Sequence, residues 1–157
     1  MRLCFLLLLF LLLLQSLTFS QSYMDTAFSY VGVHEKTGHN DGVEIERFLK
    51  SVGRKKGDSW CAAFVSYCLT SANHSFPVRS GLARNFVTKK SILATDVLQK
   101  RKIIEVGDLI IWQKGNSING HIGFVYIVES KLFFTIEGNT SSGLKGSQAD
   151  GDGVYIK

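Results

Sequence analysis

The sequence has little cysteine: three residues in 157, at positions 4, 61 and 68. Cys4 lies in an apolar leader, which leaves two thiols for the rest of the chain. If both sit on one helix, a spacing of seven positions at about 1.5 Å rise holds them roughly 10 Å apart, beyond the reach of a disulfide. An internal bridge is therefore excluded. The spacings C-x-x-C and H-x-x-x-H are also missing, as is a D-x-D-x-D-G loop, so no zinc or calcium motif can be read and no cofactor is expected. Basic residues form no run interleaved with aromatics, which argues against a nucleic-acid partner. No internal repeat or linker interrupts the chain.

An apolar run long enough to span a bilayer, about 20 residues, is absent too. The longest runs from Leu3 to Leu14 after the positive start Met1-Arg2, and Thr18-Phe19-Ser20 supplies small residues at a cleavage spacing. This pattern predicts a secretory signal peptide over 1–20 and a secreted or periplasmic protein with no stable membrane association once the leader is removed. Residues 21–157, 137 in all (157 − 20), are the size of one domain with enough chain to bury a core, and are read as a monomer. Losing Arg2 leaves 17 basic and 13 acidic residues, a net +4 that suits an anionic polymer such as a cell wall.

What is present falls into two halves. Met24 to Val31 is a short helical stretch. Asp41 with Glu44 three residues on forms a capping-box pattern, and Ile45, Phe48, Leu49 and Val52 then recur at helical spacing until Gly53. A third helix is predicted from Cys61, after Asp58 or Ser59, to about Ser71-Ala72. Residues 80–99 read as one or two further helical pieces, with Leu82, Phe86, Ile92, Val97 and Leu98 as apolar contacts. From Gly107 the period changes: Leu109–Trp112, Ile122–Val128, Leu132–Ile136 and Val154–Ile156 are short β-type runs broken by turn residues. Helices first and an antiparallel sheet second make an α+β fold.

Cys61 stands at the predicted start of an apolar helix, where unpaired N–H groups and the macrodipole favour negative charge, the form in which a cysteine attacks. Cys68, among Phe64, Val65 and Leu69, reads as core. Suppose the second and third strands turn through Glu129-Ser130-Lys131 with Val128 opposite Leu132. Gly123 then faces Glu137, His121 faces Asn139, and His121, Glu137 and Asn139 share one face. A nucleophile, an imidazole base and a polar group that orients the ring are the parts of thiol acyl transfer. Cys61, His121 and Glu137 fill those roles in that order, with Asn139 supporting the imidazole or its partner. The Cys61 N–H is one oxyanion donor and Asn40 is a candidate for the second. His34, His39 and His74 lie in polar loops and read as solvated.

The pieces Gly38-His39-Asn40-Asp41-Gly42, Trp60-Cys61-Ala62-Ala63-Phe64-Val65, Gly107-Asp108-Leu109, Gly120-His121-Ile122-Gly123 and Glu137-Gly138-Asn139 together resemble the CHAP family, which groups with NlpC-type peptidases in a papain-like fold. The resemblance implies cleavage of amide bonds in bacterial peptidoglycan, as an N-acetylmuramoyl-L-alanine amidase or an endopeptidase. It carries the same four roles onto Cys61, His121, Glu137 and Asn139, and Trp60 and Asn40 are read as substrate-binding. Some members bind calcium near the cysteine; the stretch Arg54–Asp58 here holds a single acid, so no metal is expected. Wall remodelling, a toxin with its own immunity protein as partner, and a phage origin are equally compatible with these residues. Two readings from other classes remain: a non-catalytic wall-binding protein on the same fold, and a thiol transglutaminase or amidase acting on soluble peptide amides.

Overall fold

The structure, a computed structural model, describes residues 22–72, 75–113, 115, 117–118, 120–142 and 151–157. The leader over 1–20 and His74 lie outside the described residues, as do parts of the loops 73–80 and 114–119. Among the described residues no helix is long and apolar enough to cross a membrane.

Helix α1 (Tyr23–Ser29) opens with a reciprocal capping box: the Asp25 N–H donates to Ser22 Oγ at 3.1 Å and the Ser22 N–H to Asp25 Oδ2 at 3.2 Å. Helix α2 (Val43–Ser51) turns Ile45, Phe48 and Leu49 inward, as its spacing predicts, and Gly53 follows it at φ 70°. Its start is a correction. Asp41 does not cap it; the N-cap is Gly42, at φ 120°, a conformation closed to side-chain-bearing residues. Asp41 is buried and turned back to accept from the Thr37 N–H at 2.8 Å and Thr37 Oγ1 at 3.0 Å, with Lys56 Nζ at 3.4 Å. Glu46, rather than Glu44, reaches the Gly42 N–H, at 3.4 Å.

Helix α3 (Cys61–Ser71) is apolar almost all round, and such a helix must lie inside. It packs against α1 and α2 on one side and the sheet on the other. The Phe64 ring lies 5.3 Å from Phe48 and 6.3 Å from Phe124, both edge-on.

The predicted helical region after residue 80 is thinner than expected. It holds a 3-10 turn (Ala83–Phe86) and a five-residue helix α4 (Ala94–Leu98) with no buried residue. Phe86 does enter the core, but Ile92 and Leu98 do not: they are 42% and 80% exposed. A helix of little more than one turn has no continuous face with which to bury them.

The sheet runs β1 (Leu109–Gln113), β2 (Gly120–Val128), β3 (Phe133–Thr140), β4 (Gly153–Ile156), all antiparallel and in that order. With the helices before it, this is the expected α+β, papain-like arrangement. The predicted register holds at one end and fails at the other. Gly123 faces Glu137 and Phe124 faces Ile136, but Val128 faces Phe133 rather than Leu132, because the turn is one residue tighter: the Glu129 N–H donates to the Leu132 carbonyl at 2.9 Å. A bulge between Val125 and Ile127 absorbs the difference. A second irregularity, in the pairing of β3 with β4 between Gly138 and Thr140, falls at Asn139, which sits at φ 57°. The pairing of β2 with β3 begins at Gly123 and Glu137, short of the expected pair of His121 with Asn139, and on its other side His121 faces Trp112.

Candidate active site

His121 is the second residue of β2, at the end of the sheet beside the start of α3, and it is almost fully buried. Its Nε2 lies 2.8 Å from Glu137 Oε2 on the neighbouring strand, and Thr135 Oγ1 donates to the other carboxylate oxygen at 2.5 Å. Period two places Thr135 and Glu137 on one face, so the strand itself brings donor and acceptor together. Glu137 reaches the ring across the backbone of Gly123. A Cβ at Gly123 would stand 2.7 Å from Glu137 Cγ, so a glycine is needed there for the carboxylate to pass.

Cys61 stands near enough to the imidazole to act on its pKa together with Glu137. With Nε2 taken by Glu137, the nitrogen left for the thiol is Nδ1. Burial of His121 disfavours its charged form, yet bonds and charges from Cys61 and Glu137 outweigh this and raise its pKa to about 9. For Glu137, burial pushes upward, but the bonds from His121 and Thr135, with the nearby Lys157 charge, hold the carboxyl below its usual range. Cys68 has no such company: buried, it is pushed well above an ordinary thiol. Both thiols are free.

The other expected site residues are arranged differently. Asn139 does not bond the imidazole. Its Oδ1 accepts from the Trp60 N–H at 2.9 Å, and its Nδ2 donates to Asn40 Oδ1 at 3.2 Å and to the Gly151 carbonyl at 3.1 Å. It thus satisfies a helix-start donor, and neither Asp58 nor Ser59 caps α3: Asp58 accepts from the Lys55 N–H at 3.0 Å instead. Asn40 gives one of its two amide N–H groups to the Gly57 carbonyl at 3.2 Å, and its oxygen accepts from Asn139. Trp60 is fully buried under Phe48 and gives its indole N–H to Glu35, which removes it from any surface a substrate could touch.

Trp112 is the tryptophan beside the imidazole. Its ring lies 5.5 Å from that of His121 and is 38% exposed. Sequence reasoning missed Trp112, Thr135 and Glu35. Thr135 was available from strand alternation; Trp112 needed the β1–β2 register, and Glu35 has no local signal at all. His34 is exposed, as expected, and its Nδ1 meets the Tyr155 hydroxyl at 3.0 Å. Among the described residues no three His, Cys, Asp or Glu side chains converge on a point that could hold a metal ion.

A cysteine at the start of a buried helix, against an imidazole held by a carboxylate on an antiparallel sheet, defines the papain-like thiol class. The family model described as the CHAP domain matches residues 53–139, which is 87 of the 157 residues (139 − 53 + 1), and the chain belongs to that family. Its general activity is amidase or peptidase hydrolysis of peptidoglycan. Searches of curated proteins and of solved structures give no match.

Proposed function

We propose that this chain is a secreted cysteine hydrolase that cuts amide bonds of bacterial peptidoglycan, either between the lactyl group of the glycan and the first peptide residue or within the peptide. The observation that carries the reading is the buried imidazole held 2.8 Å from Glu137, with Cys61 near enough to raise its pKa. An imidazole with a carboxylate at one nitrogen and a thiol beside the other is set to store a proton beside a thiolate.

The chemistry follows from that geometry. The Cys61 sulfur attacks the amide carbon, a C–S bond forms, and the oxygen takes the charge against the Cys61 N–H at the helix start. The imidazolium of His121 gives its proton to the leaving nitrogen as the C–N bond breaks. Water then attacks the thioester, His121 accepts its proton, and the carboxylic product departs with the thiolate restored. Glu137, fixed by Thr135, keeps the ring in the orientation and tautomer that direct Nδ1 at the sulfur. Trp112 offers an open aromatic face next to the reacting groups, suited to a sugar ring or a peptide side chain.

Purified sacculi incubated with the protein freed of residues 1–20, and with its Cys61→Ala variant, test the reading. Mass analysis of the released fragments names the bond through its new amino terminus. Equal release by both proteins refutes Cys61 as the nucleophile. Release of ammonia or amine from soluble peptide amides, with sacculi untouched, would move the substrate outside the wall.

A further inference from the structure

Behind Cys61 four side chains close a hydrogen-bonded ring. Glu35 Oε1 accepts from Trp60 Nε1 at 2.8 Å, and Glu35 Oε2 accepts from the Asn40 N–H at 2.7 Å. Asn40 Oδ1 accepts from Asn139 Nδ2 at 3.2 Å, and Asn139 Oδ1 accepts from the Trp60 N–H at 2.9 Å, which returns to the start. Trp60 is therefore held at both of its nitrogens, main chain and indole. The residue so held is the one before Cys61.

We propose that Glu35 is a positioning residue for the nucleophile: through Trp60 it fixes the first turn of α3, and with it the direction of the Cys61 sulfur toward His121 and of the Cys61 N–H toward the oxyanion. This rests on the thiol-hydrolase reading above. The chemistry of the ring requires a carboxylate at this point. Two donors converge on the two oxygens of Glu35, and a carboxylate accepts at both ends, whereas the amide of glutamine accepts at one end only and presents N–H groups at the other. In either orientation of the amide, one of the two bonds is lost. Trp60 is completely buried, so its indole N–H has no water to turn to when Glu35 is absent. Glu35 is anchored in turn: its own N–H donates to the Asp152 carbonyl at 2.7 Å, tying the loop before α2 to the chain entering β4.

The ring also accounts for the backbone at its corners. Asn40 and Asn139 both sit at positive φ, 53° and 57°, which asparagine tolerates better than most residues and which turns each amide toward the other. Two uncommon backbone conformations thus meet in one bond, one in the loop before α2 and one in β3.

The test compares wild type, Glu35→Gln, Glu35→Asp and Trp60→Phe. Hydrolysis of sacculus fragments gives kcat and KM, and the rate of iodoacetamide capture at Cys61, located by peptide mass, is followed against pH. Thermal unfolding reports stability. We expect Glu35→Gln to lower kcat by about 10- to 100-fold with KM little changed, as a displacement near the reacting atoms does. The pH profile of capture shifts as the sulfur loses its register with His121. Trp60→Phe should reproduce the shift, and joining it to Glu35→Gln should add less than the sum of the two, because both act on the same hydrogen-bonded ring. A lowered melting temperature with kcat per folded molecule and the capture profile both those of wild type would overturn the proposal, leaving Glu35 a residue of the fold. If wild type releases nothing from sacculi while the capture profile still shifts in Glu35→Gln, the wall-hydrolase reading fails and the positioning role stands.

Discussion

Cys61 and Cys68 share a helix, a residue type and a location inside the protein, and differ in nearly everything chemical. Cys61 stands in the first turn of α3, 7% exposed and near His121, whose pKa it helps to raise; Cys68, two turns on, is wholly buried in the core that includes Phe64, Val65 and Leu69. The helix start offers the first thiol unpaired N–H groups and an imidazole nearby. The second lies in the hydrophobic core, and burial drives its pKa well above that of an ordinary thiol. Burial alone does not silence a cysteine; burial without a charge partner does.

The largest expected effect breaks the comparison outright. Cys61→Ala should lower hydrolysis by at least about 10⁴-fold, the scale lost when a nucleophile of such a triad is removed, with the fold intact by circular dichroism. Cys68→Ala should keep wild-type turnover. Iodoacetamide near neutral pH should label Cys61 and spare Cys68 until denaturant is added, as read by peptide mass. Labelling of both at one rate would erase the distinction.

Next in size is Glu137→Gln. It keeps the shape of the side chain and removes the charge that supports the imidazolium, so kcat should fall by about 10²- to 10⁴-fold while the melting temperature moves little. Unfolding of this variant without a separate kinetic defect would assign Glu137 to the fold.

A pH series sharpens the contrast through stability. His121 has its folded pKa raised, from 6.5 to about 9, so its contribution is fully present below pH 6.5 and is lost as pH rises through about 9. Glu137 is shifted the other way, so its contribution is present above its unfolded value and lost as pH falls. Urea midpoints of wild type should therefore decline between pH 6.5 and 9.5. Cys61→Ala removes one of the two groups that raise His121 and should flatten that decline; Cys68→Ala should leave its slope unchanged. Identical slopes in both variants would show that Cys61 does not act on His121.

Much of this contrast was legible in the sequence, for reasons that also explain what was not. Local signals placed Cys61 at a helix start and Cys68 two turns inside it, and strand alternation put His121 and Glu137 within reach of each other. The register reached the correct pair, Gly123 opposite Glu137, through two cancelling deviations: a turn one residue tighter than assumed and a bulge that restores the count. Bulges are set by tertiary fit and leave little trace in a pattern of period two. Trp60, Asn40 and Asn139 were recognised as belonging near the site, but the bonds that join them were not legible, because hydrogen bonds between residues 79 and 99 positions apart have no local signature. Ile92 and Leu98 misled in the opposite sense: apolar residues in a segment too short to bury them remain at the surface.

The smallest expected effect concerns Cys68 itself. Removing its sulfur leaves a small void between α3 and its neighbours, and the lost contacts should cost about 1 kcal/mol, near the centre of the range for single substitutions. Cys68→Ser is the sharper variant. It nearly keeps the volume and replaces a weakly polar group by a hydroxyl in a wholly buried position; a serine inside a helix can bond the carbonyl four residues back, which here is that of Phe64. If the hydroxyl finds that carbonyl, Cys68→Ser and Cys68→Ala should unfold at similar urea concentrations. If it does not, Cys68→Ser should be the less stable by the cost of an unsatisfied buried hydroxyl, about 1–3 kcal/mol. In both cases hydrolysis per folded molecule should equal that of wild type, because the sulfur at position 68 touches neither the imidazole nor the ring that holds Trp60. A drop in turnover at undiminished stability would mean that the two ends of α3 are coupled, and that the helix transmits packing from its interior to its first turn.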